Sequence, residues 1–154
     1  MNKELIKQWG ENTAYSAKSH FKSADLKRIW ITSLIIVNIM FAVFSILELG
    51  YPLITKIFAI ISLTASVLLV VYESREGKST IKRHMNTGDE YLQLHYELQE
   101  LYHKETISED EFNVIKKNIK KINELDKPVI NQIGKRMAKK AIEKKGEMTK
   151  WWKS

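Results

Sequence analysis

Gly77-Lys78-Ser79, following the apolar Leu68-Leu69-Val70-Val71, is the stretch of this sequence that most invites a chemical reading. A strand feeding a phosphate-binding loop would need a glycine five positions earlier, so that backbone N–H groups can surround the phosphates. That position is Tyr72, and the intervening Glu73 and Glu76 would put negative charge where phosphate must sit. The strand before such a loop runs about five or six residues, whereas the uncharged run here extends from Ile57 to Tyr72. The nucleotide-hydrolase reading fails on residues and on context. The histidines fare no better. His20, His84, His95 and His103 form no H-E-x-x-H pair, the chain has no cysteine, and His95 and His103 lie two helical turns apart. Each histidine is expected to be structural or at the surface. Nucleophile-elbow, dinucleotide and paired-carboxylate signatures are absent as well. The sequence therefore predicts no enzyme, no metal and no cofactor.

What the sequence does contain is two apolar runs. Ile29 to Leu47 carries no charge, and Leu53 to Tyr72 is interrupted only by Lys56. Nineteen helical residues rise about 29 Å, matching a hydrocarbon core of roughly 30 Å. A pair of buried helices in a soluble bundle would need a surrounding core that the remaining charged sequence cannot supply. A secretory signal would be shorter and start sooner. The expected fold is an all-α membrane protein: an antiparallel transmembrane hairpin over 29–72 (spans 29–48 and 53–72), flanked by amphipathic helices. Glu48-Leu49-Gly50-Tyr51-Pro52 is too short for anything but a hairpin turn.

Lysine and arginine set the orientation. Lys3, Lys7, Lys18, Lys22, Lys27 and Arg28 precede the first span, and Arg75, Lys78, Lys82 and Arg83 follow the second. Only Lys56 lies near the turn, where its stem can snorkel. The positive-inside rule places both termini in the cytoplasm. Trp30 and Tyr72 then fall at the inner interface and Tyr51 at the outer. Gly77-Lys78-Ser79 becomes a juxtamembrane basic segment.

Polar residues within the spans follow helical spacing: Asn38, Ala42 and Ser45 in the first, Thr55, Ala59, Ser62 and Ser66 in the second. Small and hydroxyl side chains allow helices to approach and bond, at about 0.6 kcal/mol per bond. The same residues could line a pore formed by several copies.

Residues 1–28 read as an amphipathic helix whose weak stripe, Ile6, Trp9, Thr13, Ala17, His20 and Ala24, either packs on another helix or lies in the inner leaflet. Over 73–125 a helical hairpin is expected. Tyr91, Leu94, Leu98 and Leu101 follow 3-4-3 spacing, Gly88 weakens the helix and could kink it, and Ser108 with Glu111 forms a capping box. Phe112, Ile115, Ile119 and Ile122 repeat the spacing in the second helix. The two stripes are candidate surfaces for oligomer or partner contact as well as for each other. The basic stretch 126–154, with Pro128 suited to an early helical position, carries nine basic residues against two acidic ones from Lys127 onward. Lys135, Arg136, Lys139, Lys140, Trp151 and Trp152 are candidates for contact with anionic lipid or an anionic ligand. An acidic partner is the competing reading, and no recognised nucleic-acid motif accompanies the charge.

The order of parts, with Trp9 in the first helix, then the hairpin, "HMNTGDEYLQLHYELQ", "SEDEFNVIKKNIKKINEL", a proline and a basic end, resembles the SLATT family of two-transmembrane effectors associated with SMODS nucleotidyltransferases and SLOG proteins. The resemblance implies a pore-forming or membrane-disrupting effector of antiphage defence. Such a protein would act in the inner membrane as a homo-oligomer and end in abortive infection. Its trigger would come from a sensor, a nucleotidyltransferase or a reverse transcriptase encoded nearby. It carries over no catalytic residue. The rival readings are a non-conducting anchor whose cytoplasmic helices bind a partner, and a small regulator of a larger transporter. Tags fused to the two termini are expected to report the same compartment in a protease-protection assay on spheroplasts; opposite compartments would contradict the hairpin.

Overall fold

The computed structural model of the protein describes residues 3–47, 51–75 and 77–153, the side chains of 72–79 excepted. Its helices are α1 (Lys3–Ile46), α2 (Pro52–Arg75), α3 (Gly77–His103), α4 (Glu109–Glu124) and α5 (Gln132–Glu143), followed by a 3-10 turn at Trp151–Lys153. Among the described residues there is no strand. The expected first amphipathic helix and first span are one continuous element, as a 44-residue stretch without proline allows. Gly77 begins a helix rather than a phosphate loop. The expected turn residues 48–50 lie outside the described residues, as does the side chain of Tyr72. The helices form two compact units, Asp25–Ile81 and the remainder, with α1 contributing to both.

In the hairpin unit α1 and α2 run antiparallel. Phe58 meets Phe41 and Phe44, at centroid distances of 5.3 and 5.8 Å, while Asn38 meets Ser62 and Ser66 further along α2. Pro52 takes the first helical position, where its missing N–H costs no bond. The most apolar windows of α1 and α2 have a mean hydropathy of 2.3, yet only 0 % and 6 % of their residues are buried. A core helix of a soluble protein would be buried there. These helices instead present their isoleucines, leucines and valines outward, as lipid-facing spans do.

In the second unit α1 packs on α3, α4 and α5. The weak stripe on α1 is small because it is crowded: Ile6, Thr13, Ala14, Ala17, His20 and Ala24 are all buried. The core adds Leu94, Leu98 and Leu101 of α3, Ile115 and Ile122 of α4, Ile142 of α5, and both terminal tryptophans. Trp9 stacks on Phe112 at 5.4 Å. The capping box forms as its sequence requires, Ser108 Oγ accepting from the Glu111 N–H at 3.2 Å and Glu111 accepting from the Ser108 N–H at 3.0 Å. α3 runs unbroken through Gly88, where an added Cβ would lie 2.6 Å from the Phe21 ring.

The basic end departs from expectation. α5 starts at Gln132, because Asn131 supplies the cap, accepting from the Gly134 N–H at 2.6 Å; Pro128 lies buried in the extended stretch before it. The helix stops after Glu143, and Gly146 at φ 64° reverses the chain, with the Glu147 N–H donating to the Ala141 carbonyl at 3.1 Å. The following residues fold back over α1. There the Trp151 ring passes so close that a Cβ on Gly10 would stand 2.2 Å from it.

Replacing a mid-helix glycine by alanine ordinarily stabilises a helix by about 1 kcal/mol. At Gly10 the sign is expected to invert: Gly10→Ala should cost about 1–3 kcal/mol by overpacking. It should also make the C-terminal segment cleavable in limited proteolysis. A melting temperature raised above wild type would contradict the contact.

Candidate functional site

Mid-span polar groups are costly in lipid unless bonded. Asn38 Nδ2 donates to Ser66 Oγ at 2.8 Å, and Ser62 Oγ donates to Asn38 Oδ1 at 2.7 Å. A longer approach of Ser62 to the Asn38 carbonyl, at 3.3 Å, completes the cluster. All three residues are half-buried, so the amide is bonded within its own hairpin yet not sealed from its surroundings. The other expected members separate. Ala42, Ser45 and Thr55 are half-buried, Thr55 donating back to the Tyr51 carbonyl at 3.4 Å. Ala59 is exposed, and the buried small residue is Ala65. The spacing from Thr55 to Ala59 overshoots the 3.6-residue turn, and the packed face runs through Phe58, Ser62 and Ala65 instead.

The second unit holds groups that the sequence left scattered. His95 is buried between two partners that fix its state. A carbonyl only accepts and an indole N–H only donates. The His95 Nδ1–H therefore donates to the Gly10 carbonyl at 2.9 Å, while Nε2 accepts from Trp151 Nε1–H at 3.1 Å. The imidazole is neutral with its proton on Nδ1. Burial pushes its pKa down, against the opposing pull of the Gly10 bond. His20 and His84 bring their Nδ1 atoms to 3.0 Å, so one ring donates and the other accepts. Burial, then His84, then Lys127 lower His20 to about 4. Lys127 itself donates to the Tyr91 hydroxyl at 2.7 Å.

The folded-back C-terminal segment is tied at its edges. Lys18 and Lys22 reach Glu147 at 2.5 and 3.3 Å and hold its carboxyl below the usual range. Tyr15 donates to Glu143 at 3.1 Å, and burial followed by that bond raises its pKa to about 12.

Two groups of expected contact residues require correction. Trp151 and Trp152, expected at a lipid or ligand surface, are 4 % and 6 % exposed. They are packed against His95 and each other, with Trp151 also on Tyr102. Burying two indoles in the chain's own core outweighs leaving them at an interface. Lys135, Arg136, Lys139 and Lys140 do remain exposed. The stripes expected to serve oligomer or partner contact are likewise internal. Leu94, Leu98, Leu101, Ile115 and Ile122 are buried, and Tyr91, Phe112 and Ile119 pack on them. Periodicity announces a buried face without naming what covers it. Among the described residues no three histidine, aspartate or glutamate side chains are placed to hold a metal.

A helical hairpin of membrane length, polar at mid-span, joined in one chain to a helical unit built around neutral histidines, defines a two-transmembrane membrane protein. The chain matches over residues 1–151 the family described as SMODS and SLOG-associating 2TM effector domain 6, and it belongs to that SLATT family. No curated protein and no solved structure matches it.

The neutral histidines make the second unit acid-labile. His20 has a folded pKa of about 4 against 6.5 for the free side chain, so the unfolded chain takes up the proton first as pH falls. Its stabilising effect is present above pH 6.5 and is lost on descending toward 4. Thermal melts of detergent-solubilised protein by circular dichroism should fall by several degrees between pH 7.5 and 5. His20→Gln should flatten that slope, and an unchanged slope would contradict the assignment.

Proposed function

We propose that the chain is a non-enzymatic membrane effector of a bacterial antiphage or conflict system. In this reading copies assemble in the inner membrane, with both termini cytoplasmic. A partner sensor or a nucleotide signal switches them on, and the conductive path that opens kills or arrests the cell. The observation that carries it is membership of an effector family over nearly the whole chain, combined with a half-buried amide cluster at mid-span. Two helices cannot enclose a pore, so conduction requires several hairpins. In such an assembly Asn38, Ser62 and Ser66 could exchange their mutual bonds for bonds to water or ions. The exposed cations of α5 are the surface available to an anionic lipid or partner.

The second reading is a non-conducting anchor whose helical unit binds a partner. The observation favouring it is that Asn38 already bonds both serines within one hairpin, which is what simple helix packing needs.

Potential-sensitive dye in cells induced for the chain separates them. Wild-type expression is expected to depolarise the membrane, and Asn38→Leu to reduce the effect at least tenfold while the protein stays in the membrane fraction. Equal depolarisation by Asn38→Leu removes the amide from the mechanism. No depolarisation by wild type under triggering conditions supports the anchor.

A further inference from the structure

The outer surface of the second unit is divided by charge. From His84 to His103 α3 has no lysine or arginine, and its carboxylates are Asp89, Glu90, Glu97 and Glu100. Glu90, Gln93 and Glu97 form one wall of a groove of about 200 Å³ between α3 and α4, with Asn118 and Lys121 on the other. Glu97 is fixed in that wall, its two oxygens accepting from Gln93 Nε2 and Asn118 Nδ2 at 3.2 Å each. The floor is apolar: Leu94 and Ile122 lie beneath, and Leu125 stands at the rim, 39 % exposed. This is an acidic slot with a greasy base.

α5 carries the complementary features. Its inner face, Gly134, Ala138, Ala141 and Ile142, is buried within the unit. Its outer face presents Lys135, Arg136, Lys139 and Lys140, led by Ile133 at 58 % exposure. Of these cations Lys139 has a carboxylate nearby, Glu143 of its own helix at 4.0 Å. Among the described residues the groove carboxylates are not partners of α5 in the same copy. The twelve residues of α5 rise about 18 Å, and the span from Glu90 to Glu100 about 15 Å, so the two surfaces match in length.

The geometry points to a head-to-tail contact between copies of this chain, in which the outer face of α5 lies in the α3–α4 groove of the next copy. Arg136, Lys139 and Lys140 meet Glu90 and Glu97 of the wall and the exposed Glu100 next along α3, and Ile133 covers the Leu94–Ile122–Leu125 floor. Lys121 on the opposite wall turns the incoming cations toward α3. A bilayer surface would accept the cations of α5 but would leave the acidic groove unused. Because the two faces differ, the contact is heterologous and repeats from copy to copy, closing into a ring if the rotation allows. The contact rests on the assembly of copies proposed above and supplies its interface.

The test uses full-length protein in detergent, sized by light scattering, with circular dichroism as the check on folding. Glu90→Lys/Glu100→Lys and Lys139→Glu/Lys140→Glu should each weaken self-association at least about tenfold. An equimolar mixture of the two should restore it, since each acidic face then finds a basic one. If reversal disturbs folding, the neutral pair Lys139→Gln/Lys140→Gln should still weaken association, by about threefold. Association unchanged in the single-face variants, a mixture that does not recover, or a wild-type chain that stays monomeric overturns the contact. So does loss of binding to phosphatidylglycerol vesicles with self-association intact, which assigns the α5 cations to lipid. Depolarisation in the same variants separates the two claims. Charge-independent association with depolarisation retained overturns the contact and leaves the effector reading standing. Charge-dependent association without depolarisation supports the contact and tells against the effector reading.

Discussion

The apolar surface of α1 and α2 has almost no protein against it, and the rest of the architecture follows from that constraint. A row of exposed residues such as Ile39, Leu63 and Val70, at 59 %, 66 % and 68 %, is tolerable only where the solvent is hydrocarbon. In hydrocarbon every backbone group must be bonded inside its own segment, so the region is helical. It must also contain few polar side chains, and those must find one another. Asn38 with Ser62 and Ser66 is the result: one amide whose oxygen and nitrogen are both engaged by the partner helix. The cluster fixes the register of the hairpin, because a shift of one residue on either helix would strand an amide in lipid.

The second unit solves the opposite problem. Beside the leucines and isoleucines of its core, much of its interior is polar or small: Thr13, Ser19, His20, Ser23, His84, Thr87 and His95 are buried. Such an interior holds together by specificity rather than bulk. Gly10 leaves room for an indole, and His95 joins the Gly10 carbonyl to that indole. The C-terminal segment is thereby a structural part of the unit. Its lysines extend outward while its tryptophans complete the core, which separates charge from packing within a few residues. The arrangement requires the neutral ring, because a protonated His95 Nε2 could not accept from Trp151.

What could be read from sequence was what is encoded locally. Nineteen uncharged residues announce a span, and a serine three residues before a glutamate announces a helix start; both are present. What could not be read was which distant residue completes each local pattern. Trp151 and Trp152 look like membrane anchors beside lysines, and only the turn at Gly146 sends them inward. The leucine stripe on α3 signals burial equally well against a neighbour copy or against α1 and α4. His20 and His84 are sixty-four positions apart, and no spacing rule connects them. Asn131 displaced Pro128 as the start of α5 because a side-chain oxygen that bonds the first turn competes better than a ring that merely suits it.

Lipid must cover the hairpin, and the absence of cysteine from the chain allows a direct measurement. Spin labels on Ile39→Cys and Leu63→Cys, in protein reconstituted into lipid nanodiscs, would be exposed to oxygen and to a water-soluble nickel chelate in turn. Strong relaxation by oxygen with little by the nickel complex is the expected result at both positions. Ready access of the nickel complex would mean that water, not hydrocarbon, surrounds these helices, and that α1 and α2 do not span a membrane.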